Sequence, residues 1–435
     1  MEIRFYEWSE LTEAEKRDIL ARSEQDIESV REDVRTIVST VAGGGDAALR
    51  DYTRRFDGVD LAERPLAVTE AEMGAAEAKL SAEVQEALEF AIENVRRVHE
   101  AQLDGGLRTQ EVRPGIYAGE RETPIPSAGL YVPHGRGSFP SMLYMLAVPA
   151  RTAGVEHVAV ATPPLHDGSV DPACLYAARL CGVDRVYRIG GAHAVAALAY
   201  GTESVEAVSK IVGPGSRYVA AAKREVAGVV DTGLPAGPTE SIVLADRNAD
   251  PWKVSLDLMV EAEHGSDSQA LLVTPSLPLA EAVREVIPEL TAQVPEPRRS
   301  FLADVFSGYG GIIKSDSMQE AADIVNAFAP EHLQIQTREP YETLGLIRHA
   351  GEILLGEHSV FSLANYATGA NAVLPTGGTA RTWSPVSVRD FTKRSSVVHV
   401  TEAGYEALRD RVIALADYEG FYTHAQALRR RNESL

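Results

Sequence analysis

Cysteine is almost missing from this sequence: Cys174 and Cys181 are the only two among 435 residues, and no CxxC occurs. A disulfide framework is therefore not indicated, and a reducing compartment fits. Long apolar runs are also lacking, since nothing approaches the roughly 18 residues that span a bilayer. The first residues, MEIRFYEWSELTEAEKRDIL, are too charged for a secretory signal. A soluble, cytoplasmic protein is the expectation. Positive charge is scarce, with 42 Lys and Arg against 63 Asp and Glu and a net charge of −21. A negative field of that size argues against nucleic acid and anionic membranes as partners. Several catalytic signatures are absent as well: no GxGxxG, GxxxxGK[ST], GxSxG or HExxH is present.

What remains is an ordinary globular composition, 45% apolar and 24% charged, in a chain long enough for two or more domains. Residues 1–125 read mainly as amphipathic helix, with apolar steps of three and four over 9–21, 27–56 and 69–103. From Pro124 the texture changes to short β-branched runs alternating with helical segments, which indicates parallel sheets with crossover helices. Three strand-to-helix turns are Gly-rich: His134-Gly135-Arg136-Gly137-Ser138, Gly190-Gly191 and Gly213-Pro214-Gly215-Ser216. Tight turns alone would explain them, but three at such junctions fit a ligand crevice better. The alternation resumes after residue 240, so the two halves read as two similar sandwiches.

The stretch from Val230 to Gln269 organises the rest. A Pro/Gly turn through Pro238-Thr239-Glu240 leads into a strand, and a helix then runs from Asp250-Pro251 to Gly265. Asp before Pro suits its start, and Gly suits its stop. Glu261 and His264, three positions apart, project from one face. Such a carboxylate and imidazole can share a divalent metal, or can be a surface acid beside a His at a helix C-terminus. Glu331-His332 follows Pro330 just before a strand. It reads either as an exposed turn pair or as an acid/base pair dividing proton transfer from water activation.

The composite of Asp231, Ala236-Gly237-Pro238-Thr239-Glu240, Asp257-Leu258, Glu263-His264-Gly265 and Pro330-Glu331-His332-Leu333 resembles the histidinol dehydrogenase family. So do Gly129-Leu130-Tyr131-Val132-Pro133, Gly191-Ala192-His193-Ala194, Gly213-Pro214-Gly215, the segment from Ser362 to Gly378, and Asp417-Tyr418-Glu419-Gly420 with His424. The resemblance runs over about residues 9–430. It implies zinc on Glu261, His264, Asn365 and His424, and NAD on Tyr131, His193 and Ser216. Catalysis would fall to Glu331 and His332. Substrate would meet Thr239, Glu419 and His332 together with the four zinc residues.

Departures from the family pattern are specific. Glu261 stands where the family has Gln, and Asn365 where it has Asp, so the carboxylate has moved between two ligand positions. His193 replaces Gln and Ser216 replaces Asn. Ala372 replaces a histidine near the substrate.

The fold implied is α/β, two Rossmann-like αβα sandwiches with a helical C-terminal tail exchanged in a homodimer that shares its active sites. The expected domains are 1–125 plus 240–380, 126–239, and the tail 381–435. The expected reaction oxidises a primary amino alcohol through a bound aldehyde to the carboxylate with two NAD, foremost L-histidinol to L-histidine. The alternatives are the same chemistry on another small alcohol such as a sulfonated diol, or a non-catalytic nucleotide- or metal-binding relative.

Overall fold

The structure, a computed structural model, describes residues 2–21, 27–103, 105–134 and 137–431. Gly135 and Arg136 of the first Gly-rich turn lie outside them. Two compact units emerge: residues 1–102 with 125–391, and residues 103–124 with 392–435.

The larger unit holds two parallel sheets. One has six strands in the order Phe5–Glu7, Gly311–Lys314, Gln269–Thr274, Glu240–Ala245, His332–Gln336 and Glu352–Leu355. Strand residues point alternately to opposite faces, and the burial follows. Val243 and Ala245 pack into a core with the helices Pro251–Ala262 and Leu277–Thr291, while Ile242 and Leu244 pack with the helix Met318–Phe328. Both faces being covered explains why the strand Glu240–Ala245 is buried at every residue. The second sheet has four strands, Arg185–Tyr187, His157–Ala161, Ser127–Tyr131 and Lys210–Val212, and is likewise covered on both faces.

Of the N-terminal helices expected to group with residues 240–380, Glu13–Leu20 does pack on the six-stranded sheet through Ile19 and Leu20, whereas Arg31–Phe56 and Ala82–Glu100 cover the four-stranded sheet. Val34, Val38 and Val41 of the helix Arg31–Phe56 share a core with Val195, Leu198 and Val219. Their periodicity shows an apolar stripe but not which sheet it meets. The sequence also reads no strand before residue 129, whereas Leu107–Arg113 and Ile116–Pro124 are strands. They form an antiparallel sheet with Thr392–Val400 in the smaller unit. Every residue of Leu107–Arg113 is exposed, so the apolar alternation that announces a half-buried strand is missing. The helices Glu402–Tyr418 and Tyr422–Arg429 complete that unit. Among the described residues no helix is long and apolar enough to cross a membrane.

The helix of the central stretch spans Pro251–Ala262, and Asp250 caps it by accepting from the Trp252 amide at 2.9 Å. Val254 and Leu258 are fully buried beneath it. Just before the Gly190-Gly191 turn, Arg188 is buried with no exposure. Its guanidinium donates to Glu72 at 3.0 and 2.6 Å and to the Gly168 carbonyl at 3.0 Å. Those bonds to Arg188 hold the Glu72 carboxyl down at about 2. A depressed carboxylate stabilises the fold above its ordinary range near 4.5, and the contribution fades as pH falls toward 2. Glu72→Gln should therefore cost about 3 kcal/mol at pH 7, because the buried guanidinium loses its counter-charge. In urea unfolding the gap from wild type should shrink at pH 3; an equal gap at both pH values would contradict this role.

Candidate active site

The candidate residues of the six-stranded sheet gather at the starting ends of its central strands. His332 opens one strand, Glu240 a neighbouring one and Glu352 the edge strand, with His332 opposite both Ser241 and Glu352 in parallel register. The chain enters this edge through Ala329, the one non-glycine among the described residues with positive φ (53°). That left-handed residue ends the preceding helix and, with Pro330, turns Glu331-His332 into the strand. Backbone bonds from Gly351 N to Pro330 O and from Glu352 N to Glu331 O, both 2.9 Å, clamp the turn.

Around His332 the charges are dense and dry. Its Nδ1 lies 3.0 Å from Glu352 Oε2, and its Nε2 lies 3.8 Å from Glu331 Oε1 and 3.9 Å from Glu261 Oε2. Burial would depress the imidazole, but the three carboxylates together raise it well above its ordinary value. Glu331 accepts from the Glu240 amide at 3.0 Å, and burial pushes its carboxyl well up despite His332. An elevated carboxyl beside an imidazole is the kind of pair that serves acid/base chemistry near neutral pH. Sequence reasoning passed over Glu352, whose only local signal is an acid opening an otherwise apolar strand.

Glu261 is fully buried on the last turn of its helix. Its Oε1 accepts from Asn365 Nδ2 at 2.7 Å, and its Oε2 sits 3.2 Å from His264 Nδ1 yet completes no hydrogen bond among the described residues. His264 lies just beyond the helix, its amide reaching Glu261 O at 3.3 Å, and is exposed. Thr239 Oγ1 is 3.1 Å from His264 Nδ1. Burial alone would raise the Glu261 carboxyl, but His332, His264 and Asn365 outweigh it and hold the group low, hence ionised. An ionised buried oxygen without a hydrogen bond is costly, and a cation removes the cost. Among the described residues no three His, Cys, Asp or Glu side chains gather as a metal-holding group. The third donor here is an amide, and carboxylate, imidazole and amide together are nitrogen and oxygen donors that fit zinc. His424 and Glu419 are exposed residues of the smaller unit.

The loop after Asn365 is fixed by its own bonds. Asn371 donates to the Met145 carbonyl at 2.6 Å and accepts from the Val373 amide at 2.9 Å, which sets the half-buried Ala372 between them. Glu240 Oε1 accepts from the Gly377 amide at 3.0 Å, tying this loop to the start of the strand Glu240–Ala245.

The four-stranded sheet presents its finishing ends. Tyr131 is the last residue of its strand, and its hydroxyl accepts from the Gly191 amide at 3.0 Å. Burial pushes that phenol up to about 12. A Cβ at Gly213 would strike the Tyr131 carbonyl, and one at Gly190 would strike Pro163, so these turns require glycine. His193 is buried, its ring 6.0 Å from those of Tyr52 and Phe56, and burial depresses it to about 3. Its Nδ1 has no hydrogen-bond partner among the described residues. Ser216 is exposed at the N-terminus of the helix Arg217–Val226. Gly-rich turns at strand ends, a helix N-terminus and an unsatisfied buried nitrogen fit a dinucleotide.

Comparisons with known proteins place the chain in a family. The family model described as histidinol dehydrogenase matches residues 20–432. The chain belongs to the histidinol dehydrogenase family. It is 48% identical over 432 residues to "Histidinol dehydrogenase" of Synechocystis, covering 99% of this chain and 100% of that protein. It is 49% identical over 427 residues to "Histidinol dehydrogenase homolog" of Rhizobium meliloti, covering 98% and 94%. The crystal structure of histidinol dehydrogenase from Elizabethkingia anophelis superposes with a TM-score of 0.93 at 32% identity, covering 99% and 98%. The chain is thus an NAD-dependent oxidoreductase of the histidinol dehydrogenase type, acting on a small molecule.

The contact between Glu261 and Asn365 has a measurable consequence. Asn365→Asp places a second acid at 2.7 Å, where two carboxylates cannot both ionise cheaply. In chelator it should lose about 2 kcal/mol of unfolding free energy, and adding Glu261→Gln should restore most of it. Denaturant titrations in EDTA read this, and an N365D protein as stable as wild type would contradict the contact.

Proposed function

We propose that this chain oxidises a primary amino alcohol through a bound aldehyde to the carboxylate, foremost L-histidinol to L-histidine in the cytoplasm. The observation that carries the reading is the buried Glu331-His332 pair, its imidazole between Glu331 and the Glu261 carboxylate at 3.8 and 3.9 Å. Zinc held by Glu261, His264, Asn365 and His424 would supply a template and Lewis acid for the amine and hydroxyl. NAD on the side of Tyr131, His193 and Ser216 would accept one hydride in each oxidation.

This chain's own side chains divide the remaining work. His332 takes the hydroxyl proton at Nε2 while the carbon gives up its hydride, which leaves the aldehyde. Glu331 removes a proton from water as the oxygen adds to that aldehyde, and the hydrate then loses a hydride and a proton to give the acid. Thr239 holds substrate beside His264, and Glu419 pairs with its amino group. Glu419 and His424 come from the smaller unit, in keeping with a homodimer whose tails complete each other's sites.

A second reading keeps the chemistry and changes the alcohol. Ala372 offers a methyl where the family has a histidine, so one hydrogen-bonding partner of an imidazole substrate is missing. The two relatives at 48% and 49% identity carry the names enzyme and homolog, so overall likeness does not choose between the readings. NADH formation with L-histidinol against a panel of small hydroxylated compounds, sulfonated diols included, decides. Turnover of a panel member with histidinol inert would move the assignment to the second reading. Glu331→Gln should still form aldehyde but stop before the acid, losing about 100-fold or more in the second oxidation only; equal loss in both oxidations would contradict its role.

A further inference from the structure

Of the three carboxylates around His332, only Glu352 faces Nδ1, at 3.0 Å; Glu261 and Glu331 face Nε2. Glu352 is itself nine-tenths buried, and among the described residues its Oε1 has no hydrogen-bond partner, so its carboxylate is held to the imidazole through Oε2. The parallel register that sets His332 opposite Glu352, together with the amide of Glu352 bonded to Glu331 O, fixes both backbones. Phe361, fully buried, meets the imidazole edge-on at 5.8 Å with the rings 78° apart. Ring plane and ring flip are therefore both constrained, the first by Phe361 and the second by Glu352.

We propose that Glu352 is the positioning residue for His332: its carboxylate receives the Nδ1 hydrogen and so keeps Nε2 turned to the side where the hydroxyl proton leaves. A base works only when its free nitrogen lies within hydrogen-bond reach of that proton, and the opposite nitrogen's partner decides which one is free. Glu352 does not touch the reacting atoms. An isosteric apolar residue would leave the strand packed and let the imidazole turn over or tilt. This inference rests on the assignment of His332 as the base.

The test uses the full-length, zinc-supplemented protein as wild type, Glu352→Leu, Glu352→Gln and His332→Gln. In protein carrying ¹⁵N-labelled histidine, a carboxylate-bound ring N–H shielded from water gives a far-downfield proton resonance. It should appear in wild type, vanish in H332Q, vanish in E352L, and persist at a new position in E352Q, whose amide oxygen can still accept.

With an alcohol that turns over, E352L should lose about 10–100-fold in kcat for the first oxidation, the usual scale for a residue behind a working imidazole. KM for the alcohol should stay within about 3-fold, and E352Q should recover most of the rate. A folded E352L that keeps the resonance, or keeps wild-type kcat, overturns the proposal. If E352L does not fold, an E352Q spectrum without the resonance overturns it instead. If wild type turns over no alcohol, the proposed function fails while the ring resonance still decides the role of Glu352.

Discussion

A carboxylate sealed from water and still ionised is the constraint around which this molecule is arranged. Glu261 has no exposure, one oxygen bound to Asn365 and another that completes no hydrogen bond among the described residues. Left uncompensated, such a group destabilises a fold by several kcal/mol. The imidazoles of His264 and His332 lie within 3.2 and 3.9 Å and are the charge partners the protein itself supplies. A bound cation would release His332 from that duty and let it act as a base.

The two sheets present their candidate residues at opposite strand ends. In open parallel sheets ligands ordinarily sit outside the finishing ends of the strands, and the four-stranded sheet carries Tyr131 and its Gly-rich turns at those ends. The six-stranded sheet departs from that pattern, placing Glu240, His332 and Glu352 at starting ends. Under the proposed function, cofactor binding and proton chemistry would each be shaped on a rigid edge of its own. Ala329, held left-handed and buried, is the local distortion that delivers Glu331-His332 to its edge.

Much of this was legible in the amino-acid sequence, and the reasons differ by residue. The run Ser241-Ile242-Val243-Leu244-Ala245 reads as a buried strand because both its faces pack. Asp250-Pro251 marks a helix start that the structure places there. Glu261 and His264 are three apart on one turn, so local spacing brings them together. Asn365 joins them across a separation of 104 residues, which only the family resemblance anticipated. Glu352 escaped notice because its partner His332 is set by strand register, a long-range fact with no local mark. The strands Leu107–Arg113 and Ile116–Pro124 escaped because a ribbon so open to solvent writes no apolar alternation. For His193, helical position was readable, but its burial against Tyr52 and Phe56 depends on which sheet the N-terminal helices cover.

Under the proposed function, the buried carboxylate of Glu261 would hold a cation beside His332. The most direct measurement is a crystal structure of zinc-loaded protein with data at the zinc absorption edge. One anomalous peak is expected, bonded to a Glu261 carboxylate oxygen at about 2.0–2.2 Å, with His264 and Asn365 among the other ligands. Zinc found elsewhere, or a Glu261 carboxylate that stays metal-free at saturating zinc, would contradict it.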